Sequence, residues 1–382
     1  MSEDEDSLRE TLTWKSRWVM KRNRILGSKG FQRWASRTPI VRAIARRRAS
    51  AQFDMIAGFI YSQILVTIVE SGLLEFLQSD VRSFADIVQK TGFSAAATDR
   101  LLRAGQSLDL IESPQEGVWT LGEAGAPLTA NAGAIAMIRH HHLLYRDLAD
   151  PLSLLHADRT EETGLSEFWS YASKAKNKSQ SGPTGTTDYS QLMAATQPMV
   201  SEQICDGYDF SQHKKMLDIG GGSGGFILAV AAIAPDLHFG LFDLPDVIPQ
   251  AQTRLQPLFL AERMAFHSGS FKADPVPENY DLITLIRILH DHDDNVVSAL
   301  LPKIYQALPA GGRLMIVEPM AETKGAEKMG DAYFGFYLWA MRSGRPRSFS
   351  ENRQMLLNAG FSAVREVKTN LPIITKALVA DK

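Results

Sequence analysis

"KMLDIGGGSGGFILAVAAIAP", residues 215–235, decides the fold. Its apolar opening reads as a strand, its glycines as a turn, and the unbroken apolar run that follows as a buried helix. Further strands follow in "LHFGLFDLP" (237–245), "MAFHSGSF" (264–271), "YDLITLIRI" (280–288) and "GRLMIVEPM" (312–320), separated by helical or loop stretches. "SAVREVKTN" (362–370) and "ITKALVADK" (374–382) read as a closing hairpin. Strands alternating with helices predict an α/β, Rossmann-like, doubly wound seven-stranded sheet that binds ligands at the carboxyl ends of its strands.

Toward the N-terminus the pattern is mainly helical. Residues 133–205 read as helices interrupted by a polar linker, 173–188, and residues 53–77 show helical apolar spacing with a glycine break. In 83–111, Ser83 and Ser94 are positioned to cap two short helices, and "GVWTLGEAG" (117–125) reads as a small β-wing. Helix-turn-helix-wing is also a DNA-binding shape. Charge argues against that use, because residues 53–125 hold ten acids and four bases, which repels phosphate. A mostly helical winged-helix dimerisation module is the favoured reading. Three segments are expected: a basic arm at 1–52, a dimerisation and substrate-lining domain at 53–205, and a ligand-binding sheet domain at 206–382.

At 382 residues, 45% hydrophobic and 22% charged, the chain suits two globular domains. No apolar run approaches the ~20 residues that span a bilayer. No secretory pattern opens the chain. The single cysteine, Cys205, excludes an internal disulfide, suggests a reducing compartment and is assigned no role. Charge is unevenly spread. Residues 11–53 carry twelve Lys/Arg and no acid, with Trp14, Trp18, Phe31 and Trp34 among them. Such an arm suits an anionic surface, membrane or nucleic acid. A solvated helical arm that packs on a partner subunit is the alternative.

The glycine loop satisfies G-x-G-x-x-G through Gly220, Gly222 and Gly225. That pattern alone admits a nicotinamide dinucleotide or S-adenosylmethionine. Asp243 ends the second strand, where a carboxylate accepts ribose hydroxyls of either ligand. Asp218, just before the turn, adds a second negative charge that would repel a pyrophosphate and attract a sulfonium ligand with an ammonium group.

"LIRILHDHDDN" (285–295) packs two histidines and three aspartates into five positions. Three readings are open: a metal site, a proton-transfer site and the polar start of a helix. Neighbouring residues point in different directions, which disfavours convergent metal ligands, so no metal is expected. Asp293 and Asp294 precede an apolar-periodic helix and suit N-caps. His292 reads as a surface or loop residue. His290 stands at the carboxyl end of a strand and has the chemistry of a proton acceptor near neutral pH. Glu318 ends the next strand, 28 residues on, placed to orient the imidazole or to take part in a loop hydrogen bond.

"LDIGGGSGG", "FDLPDV", "SGSF", "LIRILHDHDD", "ALPAGGRLMIVEPM" and "GRPRS", in this order, resemble the class I S-adenosylmethionine-dependent O-methyltransferases with a winged-helix dimerisation domain. The resemblance runs from about residue 53 to the end. "FQRWASRTPIVRAIARRRASAQFDMIAGFIYSQIL" (31–65) and "IRHHHLLYRDLADPLSLL" (138–155) look like the carotenoid methyltransferases of purple bacteria, which act on the tertiary 1-hydroxyl of demethylspheroidene or hydroxyneurosporene. The bacteriochlorophyllide C-20 methyltransferases are similar too.

The resemblance implies that Gly220 and Gly222 lie beside the cofactor's methionine part, Asp243 on its ribose and Leu244 on its adenine. It implies cofactor contacts for Gly269, Ser270, Phe271 and Arg287. Ser270 departs from the family's acidic residue, which leaves the adenine side without that carboxylate. His290 falls on the family's general base. A second acidic partner common in plant members would fall near Pro346 and is absent. "IRHHHLLYRDLADP" (138–151) and "DAYFGFYLWAM" (331–341) fall where similar enzymes line the acceptor pocket. Tyr333, Phe334, Phe336, Tyr337 and Trp339 suit a polyene or ordinary core packing, and at most two of His140, His141 and His142 would face the pocket.

The implied protein is a homodimeric carotenoid O-methyltransferase using S-adenosylmethionine. It would be cytoplasmic or peripheral to the inner, photosynthetic membrane, with no nucleic-acid partner. A tetrapyrrole C-methyltransferase, a phenolic O-methyltransferase and a winged-helix regulator are the alternatives.

Overall fold

The computed structural model describes residues 12–169, 183–258, 261–372 and 375–382. The expected linker at 173–188 therefore lies, up to residue 182, outside the described residues. Two compact units divide at 123/124.

The first unit opens with helices Trp14–Leu26, Lys29–Arg37 and Pro39–Glu70. Gly58 lies inside the third helix, and the glycine break falls at Gly72, whose φ of 68° turns the chain into helix Leu73–Gln78. Pro39–Glu70, at 32 residues, is long and apolar enough by length and composition to cross a bilayer. The expectation of no such segment rested on uninterrupted runs, which Gln52, Asp54, Ser62 and Gln63 break up. Ser83 caps helix Phe84–Thr91 in a reciprocal box with Asp86, and Ser94 caps helix Ala95–Ser107. Strands β1 (Arg82–Ser83), β2 (Ile111–Gln115) and β3 (Val118–Leu121) then pair in the order β1-β3-β2.

Among the described residues, the second unit starts with five helices, the longest being Ala132–Asp147 and Pro183–Gly207. These two cross closely at Gly133, where a Cβ would meet Met199 Sδ at 2.6 Å. The described residues between 124 and 207 thus share a unit with the sheet, where the sequence reading grouped 53–205 together.

The sheet contains β4 (Lys215–Ile219), β5 (His238–Asp243), β6 (Met264–Ser268), β7 (Leu282–Ile286), β8 (Arg313–Glu318), β9 (Ser362–Val367) and β10 (Lys376–Asp381), in the order β6-β5-β4-β7-β8-β10-β9. The first five are parallel, and β10 runs antiparallel to both neighbours. Side-chain alternation sends Met216, Leu241 and Leu282 to one core with Phe226, Ile227 and Val230 of the helix after the glycine turn. Leu217, Ile219, Ile283 and Leu285 go to the opposite core with Val297, Leu300 and Ile304. Fully burying such a side chain is worth about 1.5–3 kcal/mol, so both faces need their helices. This brings the carboxyl ends of five parallel strands to one edge of the sheet.

Candidate active site

β4 ends in a tight turn. Gly220 and Gly222 have φ of 69° and 56°, a region that disfavours side chains, and the space a Cβ of Gly222 would take is open. The turn is braced from the next strand. Asp243 Oδ2 accepts the Gly222 N–H at 2.8 Å, and its Oδ1 accepts the Leu244 N–H at 2.7 Å. Burial raises the Asp243 pKa against these two hydrogen bonds. Asp218 is buried beneath the turn, where Thr284 Oγ1 donates to it at 2.7 Å and a Cβ on Gly221 would crowd it. Burial pushes its carboxyl to about 7, so at neutral pH it carries part of a charge where the sequence reading assigned a whole one. Its Oδ2 has no hydrogen-bond partner among the described residues. Open space over a glycine, a carboxylate at the second strand end and a further buried carboxyl beneath suit a ligand with ribose hydroxyls and cationic groups. The residues present therefore fit the expected cofactor.

Leu244 leaves that strand end 38% exposed, available to a flat apolar group. After β6, the Ser270 N–H donates to Asp274 Oδ2 at 2.7 Å. The loop thus holds a carboxylate four residues beyond the position where the sequence lacked one. Phe271 packs edge-on against His292, with ring centroids 5.3 Å apart.

After β7, Arg287 adopts φ 57°, an uncommon backbone state for a non-glycine residue. Its backbone N–H donates to Val317 O at 2.7 Å. Its guanidinium donates to Thr196 Oγ1 and Gln197 Oε1, each at 2.7 Å, on helix Pro183–Gly207. Gln197 lies against Gly225. The described contacts of Arg287 therefore brace that helix beside the glycine turn.

His290 sits in a single helical turn, Leu289–Asp291. Its imidazole is buried, with Nε2 3.2 Å from Asp291 Oδ1, Nδ1 without a hydrogen-bond partner among the described residues, and the Phe334 ring centroid 5.7 Å away. Burial, reinforced by the charges of Arg287 and Arg347, drives its pKa down to about 3. The ring is neutral at pH 7 with a wide margin, in contrast to the near-neutral titration expected of an open histidine. Glu318 Oε2 accepts the backbone N–H of His290 at 2.9 Å. That main-chain contact differs from the expected orientation of the imidazole by the carboxylate.

Two further expectations change. His292 is buried, not a surface residue, and burial lowers its pKa to about 3. Helix Asp294–Ala307 begins where expected, but Asp293 makes no side-chain cap. Its Oδ1 accepts the Gly344 N–H at 3.0 Å, while Asp294 pairs with Arg345 and Arg347. No group of three or more His, Cys, Asp or Glu side chains among the described residues is arranged to hold a metal ion.

The aromatic segment forms a wide-turn helix, Lys328–Phe334, followed by helix Gly335–Ala340. The histidine triplet meets it. His140 Nε2 lies 2.8 Å from Tyr337 Oη and His141 Nε2 2.7 Å from Tyr333 Oη, while His142 turns back to the Arg139 carbonyl. Trp169 Nε1 donates to Tyr337 Oη at 3.0 Å, and His140, which burial holds neutral with a pKa of about 4, shares that hydroxyl. Because Phe334 packs against His290, this partly buried polar and aromatic wall adjoins the candidate base. The sequence reading missed Arg347, Asp274 and this pairing. The two arginines of "GRPRS" were the available signal for the first.

Residues 145–362 match the O-methyltransferase domain family, and residues 53–131 match the O-methyltransferase dimerisation domain. The demethylspheroidene O-methyltransferase of Rhodobacter capsulatus is 39% identical over 91% of this chain and 85% of its own length. That of Cereibacter sphaeroides is 37% identical over 94% and 93%. Among solved structures, human N-acetylserotonin methyltransferase in complex with SAM superposes with a TM-score of 0.70 at 22% identity, covering 88% of this chain and 97% of that one.

Proposed function

This chain belongs to the S-adenosylmethionine-dependent O-methyltransferases, and on that premise we propose that it methylates a carotenoid hydroxyl of the demethylspheroidene type. The observation that carries the acceptor is the 39% identity, over 91% of the chain, to a demethylspheroidene O-methyltransferase.

S-adenosylmethionine, when bound, supplies an electrophilic methyl group on sulfonium sulfur. Gly220 and Gly222 would lie beside its methionine part, with open space over Gly222; Asp243 would take its ribose hydroxyls, and Leu244 and Phe271 would flank its adenine. His290 is the proton acceptor. Asp291 Oδ1, 3.2 Å from Nε2, is placed to stabilise the imidazolium that forms once the acceptor's hydroxyl proton has arrived. Burial keeps the imidazole neutral and ready beforehand. It also makes the ring a weak base, so the proton arrives as methyl transfer proceeds rather than before it. Aligned reactants contribute roughly 7–11 kcal/mol, and a general base about 10²- to 10⁴-fold. Tyr333 and Phe334, partly buried with ring planes crossed at 89°, offer aromatic surface to a polyene, with Tyr337 packed behind them.

The protein acts as a homodimer through the domain at 53–131. The arm before it is a membrane dock. Trp14 (80% exposed), Trp18 and Trp34 stand out among twelve bases without an acid. Trp18, Lys21, Arg22, Ile25, Leu26 and Phe31 line an open cleft of about 360 Å³. The working location is then the cytoplasmic face of the membrane that dissolves the substrate.

A methyl-transfer assay with labelled S-adenosylmethionine against hydroxylated carotenoids, chlorophyllides and phenols tests this reading. Label should enter the 1-hydroxycarotenoids. Turnover confined to phenols or chlorophyllides would overturn the assignment of the acceptor.

A further inference from the structure

The turn that presents His290 is held by a segment that directly follows the aromatic helix. Four consecutive carbonyls are engaged. Leu289 O accepts from Arg347 Nη1 at 2.7 Å, His290 O from the Arg345 N–H at 2.9 Å, Asp291 O from Ser343 Oγ at 2.7 Å, and His292 O from Arg347 Nη2 at 2.7 Å. Gly344 lies between them at φ 75°, and a Cβ there would collide with the His290 carbonyl. The strap therefore lies directly against the turn.

Arg347 stands out chemically. Its side chain is fully buried, although its carboxylate partner, Asp294, is about half exposed. Burying a guanidinium costs several kcal/mol unless its N–H groups find partners. A surface pairing with Asp294 would have avoided that cost. Instead the planar fork divides its donors between Asp294 and the carbonyls at both ends of the turn, a geometry that a lysine ammonium does not reproduce. Beyond Arg347 the strap is tied to the loop after β8 by the Ala321 N–H, which donates to Arg347 O at 3.0 Å.

We propose that Arg347 is the positioning residue for His290: its guanidinium spans the turn from Leu289 to His292 and sets the direction in which the imidazole meets the acceptor. The proposal rests on the reading of His290 as proton acceptor. It also links the aromatic wall to the base, since Phe334 and the strap belong to one continuous stretch of chain, 328–347.

The test uses full-length Arg347→Lys and Ser343→Ala, with three readouts: steady-state kinetics, calorimetric titration with S-adenosylmethionine, and the ring carbon–proton NMR signal of His290. Arg347→Lys keeps the charge and loses the fork. Its turnover should fall about 10- to 100-fold, the scale for slight misplacement of a reacting group. The acceptor KM and cofactor Kd should stay within about threefold. The His290 signal should move while those of His213 and His267, in contacts of their own elsewhere on the sheet, stay. Ser343→Ala, which removes one of the four carbonyl contacts, should show a smaller fall of the same kind. A moved His290 signal with unchanged turnover would support Arg347 and overturn His290 as the base. Unchanged turnover with an unchanged His290 signal overturns the proposal. If Arg347→Lys does not fold, Ser343→Ala decides by the same criteria.

Discussion

The backbone N–H of His290 donates to Glu318 Oε2 across 2.9 Å, joining two adjacent strand ends through the main chain. Burial raises the Glu318 carboxyl to about 7, against the lowering effect of Arg347. A glutamine would keep the acceptor at this place. Glu318→Gln should therefore retain turnover within about tenfold, whereas Glu318→Ala orphans a buried amide and should cost about 1–3 kcal/mol of stability. Chemical unfolding and steady-state assays of the two variants compare these directly.

The same carboxyl sets a pH trend. Its folded pKa is raised, so its stabilising contribution is present below about 4.5 and lost as pH climbs through about 7, with a slope of up to about 1.4 kcal/mol per pH unit. His140, His290 and His292 have lowered pKa values and act oppositely, losing stability as pH falls below about 6.5. The trends offset each other in the parent. Glu318→Gln should thus lose stability more steeply between pH 7 and 5. Parallel Tm curves for parent and variant across that range would refute the assignment.

His290→Ala should lower turnover about 10²-fold or more with cofactor affinity near that of the parent. Since the buried imidazole titrates near 3, kcat/KM of the parent should show no acid limb at 6.5. His292→Ala acts elsewhere: it empties a buried site against Phe271 and should lower Tm more than turnover. A pH-rate limb near 6.5 that vanishes in His290→Ala would mean that the ring titrates in the open.

Asp243 braces the glycine turn through two backbone N–H groups. Asp243→Ala should weaken S-adenosylmethionine binding by about 1.5–3 kcal/mol, the range for hydrogen bonds to a charged group. Calorimetric titration reads this, and undiminished affinity would remove Asp243 from the ribose site.

The arm should bind anionic vesicles at up to about 1 kcal/mol per base near the surface, weakening with salt as screening sets in within about 8–10 Å. Co-sedimentation of the full-length protein and of a form starting at Phe53 compares them. Equal binding by both would leave packing on the partner subunit as the arm's role, and the shortened form should then dissociate on a sizing column.

Much of this was written in the sequence. The seven strands, the caps at Ser83 and Ser94, the glycine turn, Asp243 and the position of His290 all depend on patterns within a few residues, where alternation, turn chemistry and capping act locally. Burial and partner choice did not show there. His292 looked exposed because it neighbours aspartates, yet the fold packs it on Phe271, 21 residues earlier. His290 looked like an ordinary base until burial beside Arg287 and Arg347 lowered its pKa. Arg347 lies 57 residues beyond His290, and only the chain's return over the ends of β7 and β8 brings its guanidinium to the Leu289 and His292 carbonyls. Hydrogen bonds and desolvation act over a few ångströms of space, so separation along the chain hides them until the sheet has closed.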